Sequence, residues 1–157
     1  MDMESNTSLK LDDLDFQILN ILFTDSRTPF LEIARQCDVS GGTIHVRMKK
    51  MEDLGIIKGT KLIVDPSKLG YDVCCFIGIH LEKASCFNSV LDEMKKINEI
   101  VELHYTTGSY SILMKVLCKN MSHLQDLIMN KIQCIDGVQS TNTFISLLKP
   151  IDRNLQL

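Results

Sequence analysis

Apolar residues recur at intervals of three and four through the first 55 positions, and this spacing predicts three helices. Asp12 and Ser40 are candidate N-caps, because a short side-chain oxygen can accept a hydrogen bond from the amides of a helix's first turn. Pro29 suits a first helical position, and Gly55 suits a helix end. The predicted helices run from Asp12 to about Asp25, from Thr28-Pro29 through Cys37, and from Ser40 to Leu54.

After the third helix, the segment IIKGTKLIV at residues 56–64 consists of two short β-prone runs around Gly59-Thr60 and predicts a small hairpin. Three short helices, a link of a few residues between the second and the third, and a trailing hairpin are typical of a winged helix-turn-helix. We therefore predict that fold for the N-terminal part of the chain.

Beyond residue 72 the pattern alternates between strand-like and helix-like segments. The strand-like runs are VCCFIGIHL, VELHYTT, YSILMKVLC and GVQSTNTFISLL, and the helix-like runs are SCFNSVLDEMKKI and MSHLQDLIMNKI. Their β-α-β-β-α-β order predicts a ferredoxin-like domain, in which an antiparallel sheet carries both helices on one face. The fold class is therefore α+β, with a winged helix-turn-helix followed by a ferredoxin-like domain.

Such a sheet has a second face that its own helices do not cover. We assign to this face residues that are too apolar to be left in water, and so expect the chain to self-associate through it. These residues are Ile77, Ile79, Leu113 and Phe144.

Asp65-Pro66 and Gly70 mark a break between the two patterns, because the residue before proline is pushed out of the helical region and glycine can adopt a turn conformation closed to other residues. The predicted divisions are a flexible N-terminus at 1–10, the winged helix-turn-helix at 11–62, a connector at 63–72, the ferredoxin-like domain at 73–150 and a C-terminal tail at 151–157.

The composition narrows the class of protein. The 157 residues are 45% hydrophobic, which is enough for a core, and no stretch reaches the ~18 apolar residues of a membrane span. The acidic, polar start is unlike a secretory signal, so we expect a cytoplasmic protein with no membrane partner. The six cysteines include no C-x-x-C pair and no cluster with zinc-ligand spacing, so we expect neither a disulfide framework nor a metal site.

The formal net charge is -3, which argues against a protein that coats nucleic acid through bulk charge. The third predicted helix is nevertheless locally basic, since it carries Arg47, Lys49 and Lys50, and Lys58 and Lys61 extend the basic run into the predicted hairpin. A basic helix fits the DNA major groove, with its N-terminal residues at base edges and its cations at phosphates. The alternative is an ordinary solvated helix face.

The turn YTTGSY between two predicted strands is rich in hydroxyls and in backbone amides that can bind a carboxylate. Thr141 and Thr143 lie two apart on the last strand and point to one face, which suits polar contacts with a small zwitterion. The alternative is turn chemistry together with the β-propensity of threonine.

Catalytic motifs are lacking in this sequence. It contains no G-x-S-x-G, P-loop, G-x-G-x-x-G or H-E-x-x-H, and the four histidines fall in separate predicted elements. We therefore predict a protein that is not an enzyme and that uses no cofactor.

The segments SRTPFLEIARQCDVSGGTIHVRMKKMEDLGIIKG, KLGYDVCCFIGI, YTTGSYSILMKV and NKIQCIDGVQSTNTFISL closely resemble the Lrp/AsnC family of feast/famine transcription regulators. The match runs in family order through both predicted domains, from about Leu11 to Pro150. GTIHVR, LGYDV with FIGI, YTTG with YSI, and NKIQ with QST resemble the asparagine-responsive AsnC branch more than the leucine-responsive branch.

The resemblance implies a homodimer formed through the C-terminal sheets, often closed into an octamer, that binds double-stranded DNA. It also implies that a small amino acid binds between dimers, near the loop joining the second and third strands. Many relatives carry an acidic residue where this chain has Ser111, which leaves open what pairs with the effector's ammonium group.

Together, the residue patterns and the resemblance give two predicted sites. The predicted DNA-binding residues are Ser40, Gly42, Thr43, His45, Val46, Arg47, Lys50 and Lys58. The predicted effector-binding residues are Thr106, Thr107, Gly108, Tyr110, Thr141 and Thr143. We expect a sequence-specific transcription regulator that responds to an amino acid, asparagine first. The alternatives are a leucine- or methionine-responsive global regulator of the same family, or an amino-acid-binding module without DNA activity.

Overall fold

A computed structural model describes residues 11–155 and residue 157, so the predicted flexible N-terminus at 1–10 lies outside the described residues. The chain forms two compact units. The first contains the described residues up to Leu62 together with those from Asp152 onward, and the second runs from Ile63 to Ile151. The tail joins the first unit, where the Asn154 side chain donates a hydrogen bond of 3.2 Å to the Phe23 carbonyl.

Three helices make up the first unit, and they are α1 (Asp13–Thr24), α2 (Phe30–Gln36) and α3 (Gly41–Asp53). Asp12 and Ser40 cap α1 and α3 as predicted, while α2 begins one residue later than predicted, with Pro29 as its N-cap. The helices enclose a small core whose members come from all three: Ile18, Leu19, Ile33, Ala34, Ile44, Met48 and Met51.

The predicted hairpin after α3 is wrong, because residues 56–65, all of them described, contain no strand. The backbone amides of Ile56 and Ile57 instead donate to the Met51 carbonyl at 2.9 and 3.1 Å, closing the end of α3. The second β-prone run is left exposed, with Leu62 at 83% and Ile63 at 85%. A lone two-stranded hairpin is marginal in water, and here the amides of its first strand are already bonded to the helix.

The second unit is a four-stranded antiparallel sheet in the order β2-β3-β1-β4, the arrangement of a ferredoxin-like fold. Its strands are β1 (Val73–Leu81), β2 (Ile100–Tyr105), β3 (Ile112–Cys118) and β4 (Val138–Ile145). The helices are α4 (Phe87–Met94), which follows a 3-10 turn at Ala84–Cys86, and α5 (Met121–Asp126), which continues into a π-helical turn at Leu127–Ile132. A further 3-10 turn spans Pro66–Leu69 ahead of the sheet.

The helix-covered face of the sheet holds the main core, and two residues that the sequence analysis assigned to the other face belong to it. Ile77 and Ile79 are fully buried in this core. The error arises because β1 is apolar on both faces, so its sequence has no alternation of apolar and polar residues that would assign each residue to a face. Phe76 and Phe144, which are register partners, lie on the opposite face and are exposed, and Leu113 lies there half-buried.

None of the helices in the described part of the chain is long and apolar enough to cross a membrane.

Candidate nucleic-acid interface and effector site

The start of α3 is fixed by two local features. The Ser40 hydroxyl accepts a hydrogen bond of 3.1 Å from the Thr43 amide and lies 2.9 Å from the Thr43 hydroxyl. A Cβ at Gly41 would lie 3.2 Å from a methyl group of Leu31, so glycine permits the close approach of α2 to α3. Gly42 is exposed, and a Cβ there would be in ordinary contact with the Ser40 hydroxyl at 3.7 Å. The first turn of α3 is therefore both capped and accessible.

The remaining predicted residues of α3 divide into two faces. His45 and Val46 are exposed, and Val46 is 68% exposed. Thr43, Arg47 and Lys50 are half-buried. The helix that we predicted to present one basic face to DNA therefore turns some of its polar side chains outward and others towards its own unit.

Arg47 and Lys50 bind the carboxylate of Asp15, which is fully buried. Arg47 Nη1 lies 3.3 Å from Asp15 Oδ1, and Lys50 Nζ lies 3.0 Å from Asp15 Oδ2. Arg47 also donates to Asp12, the N-cap of α1. The Asp12 carboxylate accepts the Asp15 amide and the Arg47 guanidinium, which together hold the pKa of Asp12 below its usual value, and Asp12 in turn raises the pKa of Arg47. These contacts form an ionic cluster, Asp12–Asp15–Arg47–Lys50, that ties α3 to the start of α1.

His45 is held from one side by an aromatic contact. Its ring lies edge-on to Phe30, with ring centres 4.6 Å apart and planes at 75°. These two residues border an open groove of about 550 Å³ that Val46, Met48 and Lys49 also line. The contact links the exposed face of α3 to the first residue of α2.

Lys49 was not among the predicted DNA-binding residues, yet it is exposed on the same face as Gly42, His45 and Val46. Its position could have been found from spacing alone, because residues three to four apart share a helix face. Lys58 is exposed on the segment that follows α3. We call Gly42, His45, Val46 and Lys49 the outward strip of α3.

Four of the predicted effector residues lie on the loop between β2 and β3. The Thr106 amide donates to the Ser111 carbonyl at 3.0 Å, and the Thr106 hydroxyl donates to the Tyr110 carbonyl. These bonds close the loop at its base. Thr107 and Gly108 lie at its exposed tip.

The Tyr110 ring lies across the sheet on the face without helices. A Cβ at Gly78 would be 2.6 Å from the ring, so glycine is required for this contact. The Tyr110 hydroxyl accepts a hydrogen bond of 3.1 Å from Asn142, and the ring centre lies 5.1 Å from that of His80 and 6.1 Å from that of Phe144. The sequence analysis did not identify Gly78, and the signal for it, a glycine inside an otherwise apolar strand, was available.

Thr141 and Thr143 share one face, as predicted, but that face is the helix-covered one, since they are paired with Ile79 and Ile77. The Thr141 hydroxyl accepts a hydrogen bond of 2.9 Å from Gln133. β4 and β2 form opposite edges of the sheet, and these two threonines lie on the face opposite to the one that the Tyr110 ring covers.

Within the described residues, no group of three or more His, Cys, Asp or Glu side chains is placed to hold a metal ion. Cys75 and Cys118 are buried in the core of the second unit, and burial raises the pKa of the Cys75 thiol to about 12. A thiol with so high a pKa is almost entirely protonated at neutral pH and therefore packs as a small apolar group.

Two family models match the chain. Residues 74–155 match the Lrp/AsnC ligand binding domain, and residues 11–58 match a winged helix-turn-helix DNA-binding domain. These ranges contain both predicted sites.

Similar proteins cover almost the whole length. The chain is 50% identical over 146 residues to Regulatory protein AsnC of Haemophilus influenzae, covering 93% of this chain and 97% of that protein. It is 48% identical to Regulatory protein AsnC of Escherichia coli K12, covering 93% and 96%. The solved structure of E. coli AsnC superposes with a TM-score of 0.88 at 47% identity, covering 93% and 98%. A Neisseria meningitidis transcriptional regulator solved with L-Met, 21% identical, has the same fold with a TM-score of 0.87, covering 92% and 94%.

Proposed function

We propose, because the chain belongs to the Lrp/AsnC family of transcription regulators, that its effector is asparagine and that several copies assemble on DNA through their C-terminal units. The chain is a DNA-binding transcription regulator that responds to an amino acid, and it is not an enzyme. Its similarity to two proteins named AsnC, at 50% and 48% identity, supports asparagine over leucine or methionine. A DNA-binding regulator must have access to DNA, so we propose that the protein is located in the cytoplasm.

The DNA interface that we propose is the start and outward strip of α3. Ser40 and Thr43 order the first turn, whose free amides suit a phosphate, and His45 and Val46 lie where a helix in the major groove meets base edges. Lys49 and Lys58 are exposed cations that suit phosphate contacts. We propose that Arg47 and Lys50 act indirectly, by holding α3 against Asp15.

The effector site that we propose lies between chains. The tip of the loop at Thr107 and Gly108 offers amides and a hydroxyl to a carboxylate, and the loop is held in shape by the bonds of Thr106. Thr141 and Thr143 lie on the other edge strand of the sheet and on its helix-covered face, so we propose that a neighbouring chain supplies them to this site. An effector that bridges two chains would shift their assembly, because it binds the assembled state more tightly.

The open face of the sheet supports the proposed dimer. Phe76 and Phe144 are exposed there as cross-strand partners, and the Tyr110 ring extends the apolar surface over Gly78. Burial of this face against a second copy would remove it from water. Further closure of dimers into an octamer would place several α3 helices on one DNA molecule, and the linked sites would raise the overall affinity.

A thermal-shift screen of the twenty amino acids tests the effector assignment. A ligand that binds the native state raises the melting temperature as its concentration passes the dissociation constant, so asparagine should raise it and leucine or methionine should not. Thr107→Val should reduce the asparagine shift, whereas Thr24→Val, on α1 of the other unit, should not. A shift with leucine or methionine alone would refute asparagine and leave the family assignment intact.

The salt dependence of DNA binding tests the interface. Lys49→Ala should weaken binding and lower the slope of log affinity against log salt by about one unit, because one phosphate contact is lost. Lys95→Ala is the matched control, since Lys95 is an exposed lysine at the C-cap of α4 in the second unit. An unchanged slope for Lys49→Ala would show that α3 meets DNA with another face. A chain with no salt-dependent DNA binding at all would be an amino-acid-binding module instead.

A further inference from the structure

The outward strip of α3 has few of the side chains that most often read bases. Arg or Lys binds guanine and Asn or Gln binds adenine through paired hydrogen bonds, but α3 contains neither Asn nor Gln, and Lys49 is the one lysine of the strip. The single arginine of α3, Arg47, donates to Asp12 and to the buried Asp15, and its side chain is 27% exposed. Paired hydrogen bonds from Arg, Asn or Gln therefore do not account for sequence reading by the outward strip.

Val46 is the apolar residue on that strip, and the fold does not explain why an apolar side chain is exposed there. It is 68% exposed, whereas the other apolar residues of α3, Ile44, Met48 and Met51, are buried. Valine has a lower helix propensity than alanine, so an exposed valine at this position does not serve the stability of the helix. Its two methyl groups are held in a strongly preferred rotamer, which gives α3 a rigid apolar projection one turn from its start.

The neighbours of Val46 are polar and fixed. His45 is oriented by its edge-on contact with Phe30, and Lys49 is exposed one turn later. Gly42, one turn earlier, adds no side chain that would hold the helix away from the groove floor. The outward strip therefore places the apolar side chain of Val46 between the His45 ring, which can form hydrogen bonds, and the Lys49 ammonium group.

In the major groove, the apolar group that distinguishes one base from the others is the 5-methyl of thymine. We infer that Val46 is a specificity-determining residue that contacts a thymine methyl in each half-site of the operator. This inference rests on the proposed function, in which α3 enters the major groove. Specificity by this route comes from burial of two apolar groups rather than from paired hydrogen bonds.

Uracil substitution tests the contact directly, because deoxyuridine differs from thymidine by the methyl alone. Duplexes that the full-length wild-type protein retains from a random pool are resynthesised with each thymine replaced in turn by uracil, and dissociation constants are measured by fluorescence anisotropy. Loss of one buried methyl contact should weaken binding about 3- to 5-fold at one thymine per half-site. Val46→Ala should weaken binding to the thymine duplex and bind the thymine and uracil duplexes equally.

Two controls distinguish the loss of one thymine contact from a general loss of binding or of folding. Val101→Ala, at an exposed valine of β2 in the second unit, should keep the full thymine preference. Val46→Ala should fold, since alanine is the better helix former, and circular dichroism checks this. If no uracil substitution matters, or if the preference survives in Val46→Ala, the inference is overturned while DNA binding stands. If the wild-type protein retains no specific duplex, the proposed function itself fails.

Discussion

Replacement of Asp15 by asparagine tests the interpretation that Arg47 and Lys50 serve the fold. Asp15 is fully buried and is the shared partner of both cations, and its carboxylate also accepts the Asp12 amide at 3.2 Å. Asp15→Asn keeps the size of the side chain and removes its charge. Lys50 then loses the anion that holds it against α1, and Arg47 keeps only its contact with Asp12.

The expected loss follows from the burial of each partner. Breaking a buried ion pair costs about 3–5 kcal/mol when the charge left behind stays buried. Here the Arg47 and Lys50 side chains are 27% and 38% exposed, so each can turn partly to water, and the asparagine oxygen still accepts one hydrogen bond. We expect a loss of about 2 kcal/mol for the unit that contains α1 to α3, which corresponds to a melting temperature lower by roughly 10 °C for a unit of this size.

Thermal and urea unfolding of the full chain, followed by circular dichroism, measures this loss. Asp92→Asn is the matched control, because Asp92 pairs with Lys95 at 3.0 Å on an exposed surface and such pairs contribute less than about 1 kcal/mol. Lys50→Met in the Asp15→Asn background should cost less than Lys50→Met alone, since the interaction is already lost. If Asp15→Asn unfolds at the wild-type temperature, Arg47 and Lys50 do not anchor α3.

Two further predictions concern the second unit. Gly78→Ala places a Cβ 2.6 Å from the Tyr110 ring, so the ring must move. We expect the free energy of unfolding to fall by about 1–3 kcal/mol and the near-ultraviolet circular dichroism spectrum to change. Gly108→Ala is the control and should show neither effect, because no atom lies within 4 Å of the added Cβ. The pKa of Glu99 is lowered from 4.5 to about 2, mainly by the Lys131 ammonium, which lies 2.8 Å from the Glu99 carboxylate. The stability that this carboxylate contributes is therefore complete above pH 4.5 and is lost as the pH falls towards 2. Glu99→Gln should flatten that part of the acid unfolding curve, and an unchanged curve would contradict the assignment.

Local signals in the sequence were sufficient for the starts of α1 and α3 and for the order of the elements. Asp12 and Ser40 act through hydrogen bonds three residues away, and such short-range contacts can be inferred from the sequence. The β-α-β-β-α-β order follows from changes of period along the chain. The loop at Thr106 was likewise found as a turn, because glycine and hydroxyl residues cluster there.

Most of the features that the sequence did not reveal depend on partners that are distant in the chain. Arg47 and Lys50 were predicted to face DNA, but a carboxylate 32 and 35 positions earlier draws them inward. The hairpin failed for a local reason, since Ile56 and Ile57 donate their amides to the Met51 carbonyl at the end of α3. In β1, Ile77 and Ile79 could not be assigned to a face from a strand that is apolar on both sides. For α3 and β1 the deciding groups lie outside the window in which a pattern can be recognised.

The division of α3 into an anchored side and an outward strip bears on how operator preference can evolve. Arg47 and Lys50 are constrained by the fold, because a change at either one leaves Asp15 short of a partner. Val46 and Lys49 are exposed and lie outside the core of the unit, and substitutions at such positions usually change stability by less than about 0.5 kcal/mol. Duplicated copies of such a gene could therefore acquire new operators one substitution at a time, with the same scaffold intact at every step.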